Sequence, residues 1–155
     1  MSAPNPDGNL GGEEHMTMEP AITKFERGNV QERLVIPEGE VTDYSSIPDS
    51  GILGWLAKKL GFDKNAPYFT RSGKIHDMLY WAIKYRNGFL PYGWYQFYNT
   101  KTLQWEPVIA YKWERQEADI IWEDVSIDDG CPVALAKKGY DFLRTFGGIH
   151  MFLFK

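Results

Sequence analysis

The chain has 155 residues, a net charge of −4 and 43% hydrophobic residues. That is one compact domain, long enough to bury roughly 70% of its unfolded surface without staples. The single cysteine, Cys131, excludes an internal disulfide and a cysteine-based zinc site. The acidic balance argues against a surface that tracks phosphates, so no nucleic-acid partner is expected. No run approaches the roughly 18 apolar residues of a membrane span.

Residues 1–20 are rich in Gly, Pro and acids and offer little to bury. They are expected to be a flexible arm, or a segment that orders against a partner. The arm has neither a basic start nor an apolar stretch, so no secretory signal is expected, and His15 within it carries no argument. The rest, 21–155, is expected to be a single α+β domain. Residues 21–48 look extended. Leu34-Val35-Ile36, the turn at Pro37-Glu38-Gly39 and Val41-Thr42 predict a short N-terminal β-hairpin. Pro48 then discourages helix at Ile47.

Residues 51–61 predict a short amphipathic helix closed by Gly61. A longer helix is predicted over 71–86, with Ile75, Met78, Leu79, Ala82 and Ile83 at buried-stripe spacing. Residues 89–113 hold two aromatic runs flanking a turn at 99–102. They predict a projecting aromatic hairpin inserted between helices. A helix is predicted over 114–125. The last helix is predicted over 133–146, with Val133, Ala136, Tyr140 and Leu143 inward, and Gly147-Gly148 as its stop. The fold expected is therefore three or four helices, a small N-terminal hairpin and an inserted aromatic hairpin. Six Trp, nine Tyr and nine Phe call for a thick aromatic core or a surface used for assembly.

The candidate chemistry begins at His76-Asp77. His76 and Tyr80 are four apart and share a helix face. Asp77 lies about 100° round and must point elsewhere, at a cation or at the loop carrying Asp43 and Ser46. If the helix bearing Ala118-Asp119-Ile120-Ile121-Trp122 packs against it, Asp119 meets His76. Such a carboxylate holds one ring nitrogen protonated and leaves the other as a base. The plainer account is a satisfied polar cluster that ties helices together. Asp43 and Ser46 divide in the same way between a metal-bearing loop and turn chemistry. A Ser46–His76–Asp119 triad has no nucleophile elbow to support it. Cys131, at a helix start, reads as a buried thiol before a reactive one, and His150 as packing or surface. Glu123, Asp124, Asp128 and Asp129 lack the spacing of an EF-hand and read as a solvated helix end.

Several blocks occur in order: Val35-x-Pro37-x-Gly39-x-Val41-Thr42-Asp43-x-x-Ser46-Ile47-Pro48, then His76-Asp77-x-x-Tyr80, then Ala118-Asp119-x-x-Trp122, then Arg144-x-Phe146-Gly147. Together they resemble a phage- and prophage-associated family of unknown function, across 34–147 apart from 89–113. The resemblance implies a phage setting: a virion or tail-associated accessory protein, in the particle or in host cytoplasm before assembly, bound to other phage structural proteins in an oligomeric assembly. The His-Asp-x-x-Tyr helix also resembles, more distantly, that of phospholipase A2. That likeness implies His76 as general base, Asp77 with Asp43 as ligands to calcium, Tyr80 and Asp119 as supports of the histidine, and host envelope lipid as substrate. The flanking disulfide cysteines and the Gly-rich calcium loop of those enzymes have no counterpart here; residues 43–48 would have to replace the loop.

Overall fold

The structure, a computed structural model, describes residues 21–37, 51–62 and 66–154. The arm at 1–20, all of the expected 37–42 turn and strand but Pro37, and the loop at 43–48 lie outside these residues.

The chain opens with strands β1 (Ala21–Arg27) and β2 (Val30–Ile36), paired antiparallel from Ala21↔Ile36 to Arg27↔Val30. Gly28 takes a φ of 60° at the first central position of the two-residue turn, as a type II′ connection needs. The expected N-terminal hairpin is present, with Leu34-Val35-Ile36 as its second strand in place of its first; the strand expected at 41–42 lies outside the described residues. Leu34-Val35-Ile36 is a strand, but it pairs upstream with 21–23. The alternation of β2 drives Leu34 and Ile36 into the core and leaves Arg33 and Val35 half-buried on the other face.

Helix α1 (Gly51–Lys59) and a 3₁₀ turn (Pro67–Phe69) lead into α2 (Thr70–Tyr85). Strands β3 (Tyr95–Asn99) and β4 (Gln104–Pro107) follow. The Asn99 side-chain oxygen accepts from the backbone N–H of Lys101 at 2.9 Å and builds their turn. This hairpin does not project alone. β3 pairs with β2 through Glu32↔Phe97, Arg33↔Gln96 and Leu34↔Tyr95, giving one antiparallel sheet ordered β1-β2-β3-β4. Helix α3 (Arg115–Asp128) starts at a capping box, where the Glu114 N–H donates to the Glu117 carboxylate at 2.9 Å. Helix α4 (Val133–Phe154) ends the fold. The α+β class is as expected, with four helices and the sheet among the described residues.

Helix α3 divides the interior. Ala118, Ile121 and Val125 join Leu34, Ile36, Ile75, Leu79 and Trp113 between sheet and helices. Trp122, about 100° round α3, enters a second cluster with Ala57, Phe62, Phe69, Ala136 and Phe142. Its ring stacks on Phe69 at 5.2 Å between centroids. Burial of a Trp stabilises by about 4–6 kcal/mol at ~25 cal/mol per Å². The indole N–H groups of Trp113 and Trp122 are sealed without hydrogen-bond partners, which costs about 1–3 kcal/mol each. Burial wins in both places.

Gly147-Gly148 does not stop the last helix, which runs on to Phe154. A Cβ at Gly147 would sit 2.7 Å from the Tyr80 hydroxyl oxygen and 3.2 Å from Arg115. Gly147 is therefore a point of close approach between helices rather than a terminator. Val133, expected inward, stands exposed on the first turn; Ala136, Phe142 and Leu143 carry the buried face and Tyr140 is half-buried.

Gly139 is the second notch: a Cβ there would meet the Trp122 ring at 2.3 Å. Ala is the better helix former by about 1 kcal/mol. A contact that short makes overpacking the larger effect, so Gly139→Ala should destabilise by about 1–3 kcal/mol. The clashing atoms belong to the part of the indole that a phenyl ring lacks. In a Trp122→Phe background the same change should cost far less. Urea unfolding of the four proteins of this cycle measures the difference; equal costs in both backgrounds would refute the notch.

Candidate functional site

His76 and Tyr80 stand one turn apart on α2, their ring centroids 4.0 Å apart and tilted by 39°. Across the interface α3 brings Asp119, fully buried at 0% exposure. One carboxylate oxygen, Oδ1, lies 2.8 Å from His76 Nε2 and accepts from the Tyr80 hydroxyl at 2.6 Å. The other, Oδ2, accepts from Arg144 Nη1 of α4 at 2.8 Å. Three helices thus meet on one carboxylate. The sequence-derived pairing of His76, Tyr80 and Asp119 is present in the geometry. Arg144 entered the sequence reading only as part of a motif. Its place here had a signal: an aspartate on the buried stripe of α3 requires a cation or several donors.

Burial pushes the Asp119 carboxyl toward its protonated form. The hydrogen bond and charge of His76, and the bonds from Tyr80 and Arg144, outweigh this and hold it below the usual carboxylate range. The Tyr80 hydroxyl is driven up, first by burial, then by the Asp119 charge and the bond to it, with Arg115 opposing. Arg115 also donates to the Leu143 carbonyl at 3.1 Å, which fastens α3 to α4. Sequence reasoning missed Arg115; nothing in its spacing marks it out.

An ionised carboxylate only accepts, so the His76 proton is assigned to Nε2. The imidazole is 1% exposed and Asp77 is 7% exposed. Asp77 is not among the partners of Asp119, as its position round the helix requires. Asp43 and Ser46 lie outside the described residues, so the proposed metal pair and the Ser46 triad have no geometry to judge. Among the described residues, no three His, Cys, Asp or Glu side chains gather as a metal site. Cys131 is buried, and burial pushes its thiol up, the opposite of a reactive thiolate. The side chain of His150 also lies outside the described residues. Of the acidic helix end, Asp129 is held by Arg71 through bonds of 2.9 and 3.1 Å. Among the described residues, no helix is long and apolar enough to cross a membrane.

Comparison with protein-family models, curated proteins and solved structures gives no significant match. The phage resemblance therefore stands on the motif residues alone.

Two outcomes follow from the carboxylate. Asp119→Ala leaves Arg144 and two buried donors without their acceptor and should cost about 3–5 kcal/mol. Because the folded-state carboxyl titrates below its unfolded value of about 3.9, its contribution is complete above that pH. It is lost as pH falls through the depressed folded value. Urea midpoints measured from about pH 6 down to pH 2 should fall for the wild type and fall less steeply for Asp119→Asn. Parallel curves would refute the assignment.

Proposed function

We propose that the chain is a phage-encoded accessory protein of the virion or tail that binds neighbouring structural proteins in an oligomeric assembly. The observation that carries this reading is the sheet face turned away from the buried side chains of β2 and β3. Leu34, Ile36 and Tyr95 point to the core, so by alternation Arg33, Gln96 and Tyr98 point outward. Tyr98 and its cross-strand partner Trp105 make an edge-to-face pair at 5.3 Å. The Arg33 guanidinium lies 4.3 Å from the Trp105 ring and donates to the Gln96 side chain at 2.7 Å. Tyr, Trp and Arg are the residues that dominate binding energies at protein interfaces. Here they are held in place before any partner arrives, which lowers the ordering cost of association. Exposed Leu103 and Ile109 flank the same hairpin. The protein would occupy host cytoplasm before assembly and the particle after it.

The test is mass spectrometry of purified particles, with Trp105→Ala as the comparison. The wild type should be present at fixed stoichiometry. The variant should fold normally and be incorporated at least ~30-fold less efficiently, since hot-spot truncations cost about 2 kcal/mol or more. A strictly monomeric chain absent from particles overturns the reading.

A second reading, a calcium-dependent phospholipase A2-like hydrolase acting on host envelope lipids or esters, is favoured by the bonds from His76 and Tyr80 to Asp119. In it His76 takes a proton from water, Asp119 and Tyr80 orient the imidazole, and Asp77 with Asp43 would hold calcium. Calcium, when bound there, supplies positive charge to the developing oxyanion. The burial of the ring means that lipid must first gain access to it. Phospholipid turnover that requires calcium and disappears in His76→Ala, with folding retained, is the expected result. No turnover at any calcium concentration removes this reading.

A further inference from the structure

Where the chain passes from α2 into β3, and from β4 toward α3, it forms a pocket of about 160 Å³. Tyr95, Tyr111 and Trp113 are among its walls, and Tyr92 and Ile109, 75% and 70% exposed, make its rim. The same three wall rings contact the Arg27 guanidinium, whose carbon lies 5.9, 5.0 and 4.9 Å from their centroids. The walls are therefore set before anything enters, which lowers the cost of binding. The volume is roughly half that of the smallest usual small-molecule site and close to the roughly 150 Å³ that takes one benzene ring. It fits one apolar side chain, delivered by a peptide segment.

The charges beside the pocket are basic. Arg86 donates to the carbonyl of Phe89, a lining residue, at 2.8 Å, and Lys112 pairs with Phe89 through an antiparallel bridge. Both cations are exposed, and among the described residues neither has a carboxylate partner. Glu114, two residues on, is occupied as the N-cap of α3. A fitting segment is therefore acidic as well as apolar. Residues 1–20 meet that description: they hold Asp7, Glu13, Glu14 and Glu19 and no Lys or Arg. Without these four, the 21 acids of the chain become 17, equal to its 17 Lys and Arg, so the whole net charge of −4 belongs to this segment.

The register of the sheet sets where the segment joins the body. Ala21 pairs with Ile36. Leu34 pairs with Tyr95, and the Val35 N–H donates to the Trp94 carbonyl at 2.8 Å, so Ile36 lies level with Gly93, the neighbour of Tyr92. Ala21 is thus two strands, about 10 Å, from the rim. The chain from Ala21 back to Met18 spans at most ~11 Å and stops at that rim, whereas the chain back to Met16 spans up to ~18 Å and passes it. Methionine suits an aromatic pocket, being unbranched and adaptable, with a sulfur that packs favourably against rings.

We propose that this pocket is the docking site of the chain's own N-terminal segment, with Met16 seated among Tyr95, Tyr111 and Trp113 and with Glu13 and Glu14 facing Arg86 and Lys112. The methionine carries the affinity; exposed ion pairs add little and set direction. Tethering at Ala21 holds the segment at a high effective concentration, so it docks on its own body. The docked segment covers Tyr92 and Ile109. This depends on neither functional reading.

Methyl NMR of the full chain, labelled at methionine, tests it. The Met16 methyl, identified by its loss in Met16→Ser, should be shifted upfield by the surrounding rings. Ile109→Asp should return it to the position of an exposed methionine. Ile109 is itself exposed, so that variant keeps the fold, which an unchanged far-ultraviolet spectrum verifies. Lys112→Glu should reduce the shift, and Glu14→Lys should restore it in that background. A protease specific for glutamate should cut at Glu13 and Glu14 severalfold faster in Ile109→Asp and in Met16→Ser than in the wild type. A Met16 methyl at the exposed position in the wild type, or a shift that survives Ile109→Asp, overturns the proposal. A shift that fades on dilution would give the pocket to the segment of a second copy and overturns docking within one chain.

Discussion

The fold depends on one buried negative charge. Asp119 has no exposure to water, and an ionised carboxylate in that position is tolerated only if every direction from it is answered. His76 and Tyr80 answer from α2, and Arg144 from α4. Because α3 carries the carboxylate, the register of all three helices is fixed at one point. Apolar packing alone tolerates sliding; a carboxylate with three directed donors does not.

Close contact at that point has a second requirement. Helix α4 can carry Arg144 to Asp119 only if its backbone approaches α2 and α3. Gly147 against Tyr80 and Gly139 against Trp122 supply the two places where a side chain would intervene. Each glycine costs a helix about 1 kcal/mol relative to alanine. The tryptophan packing that Gly139 permits is worth several times that. The polar knot and the aromatic core are thus consequences of the same approach.

The periodic helices were legible because their apolar residues repeat at three and four. Ile75, Met78 and Leu79 are buried where the spacing puts them. The meeting of His76, Tyr80 and Asp119 was legible for a related reason: a buried-stripe aspartate needs a partner, and few polar residues were available. What failed was long-range. Gly28-Asn29 is a hairpin turn signal, but Pro37-Glu38-Gly39 looks like one too, and local sequence does not rank them. The union of β2 with β3 spans more than fifty residues and left no local trace. Gly147-Gly148 shows the limit most plainly. A glycine pair near the end of a helical pattern reads as a stop, and only the position of Tyr80 reveals that Gly147 is a contact instead.

The distribution of polar groups also separates the two functional readings. The histidine and its carboxylate are enclosed, with the bonds of Asp119 directed to the neighbouring helices, so any chemistry there requires the helix layer to open. Opening would strain the one point that fixes three helices together, and a dyad built into the main structural tie is a poor place for a step that needs motion. Arg33, Tyr98 and Trp105 lie on the opposite side of the sheet, where nothing in the core has to move for a partner to reach them. With the helix layer tied at Asp119, the half-buried Arg33, Tyr98 and Trp105 are presented on a rigid frame, which is what the proposed assembly role requires. For that role the carboxylate knot is valuable because it stays shut.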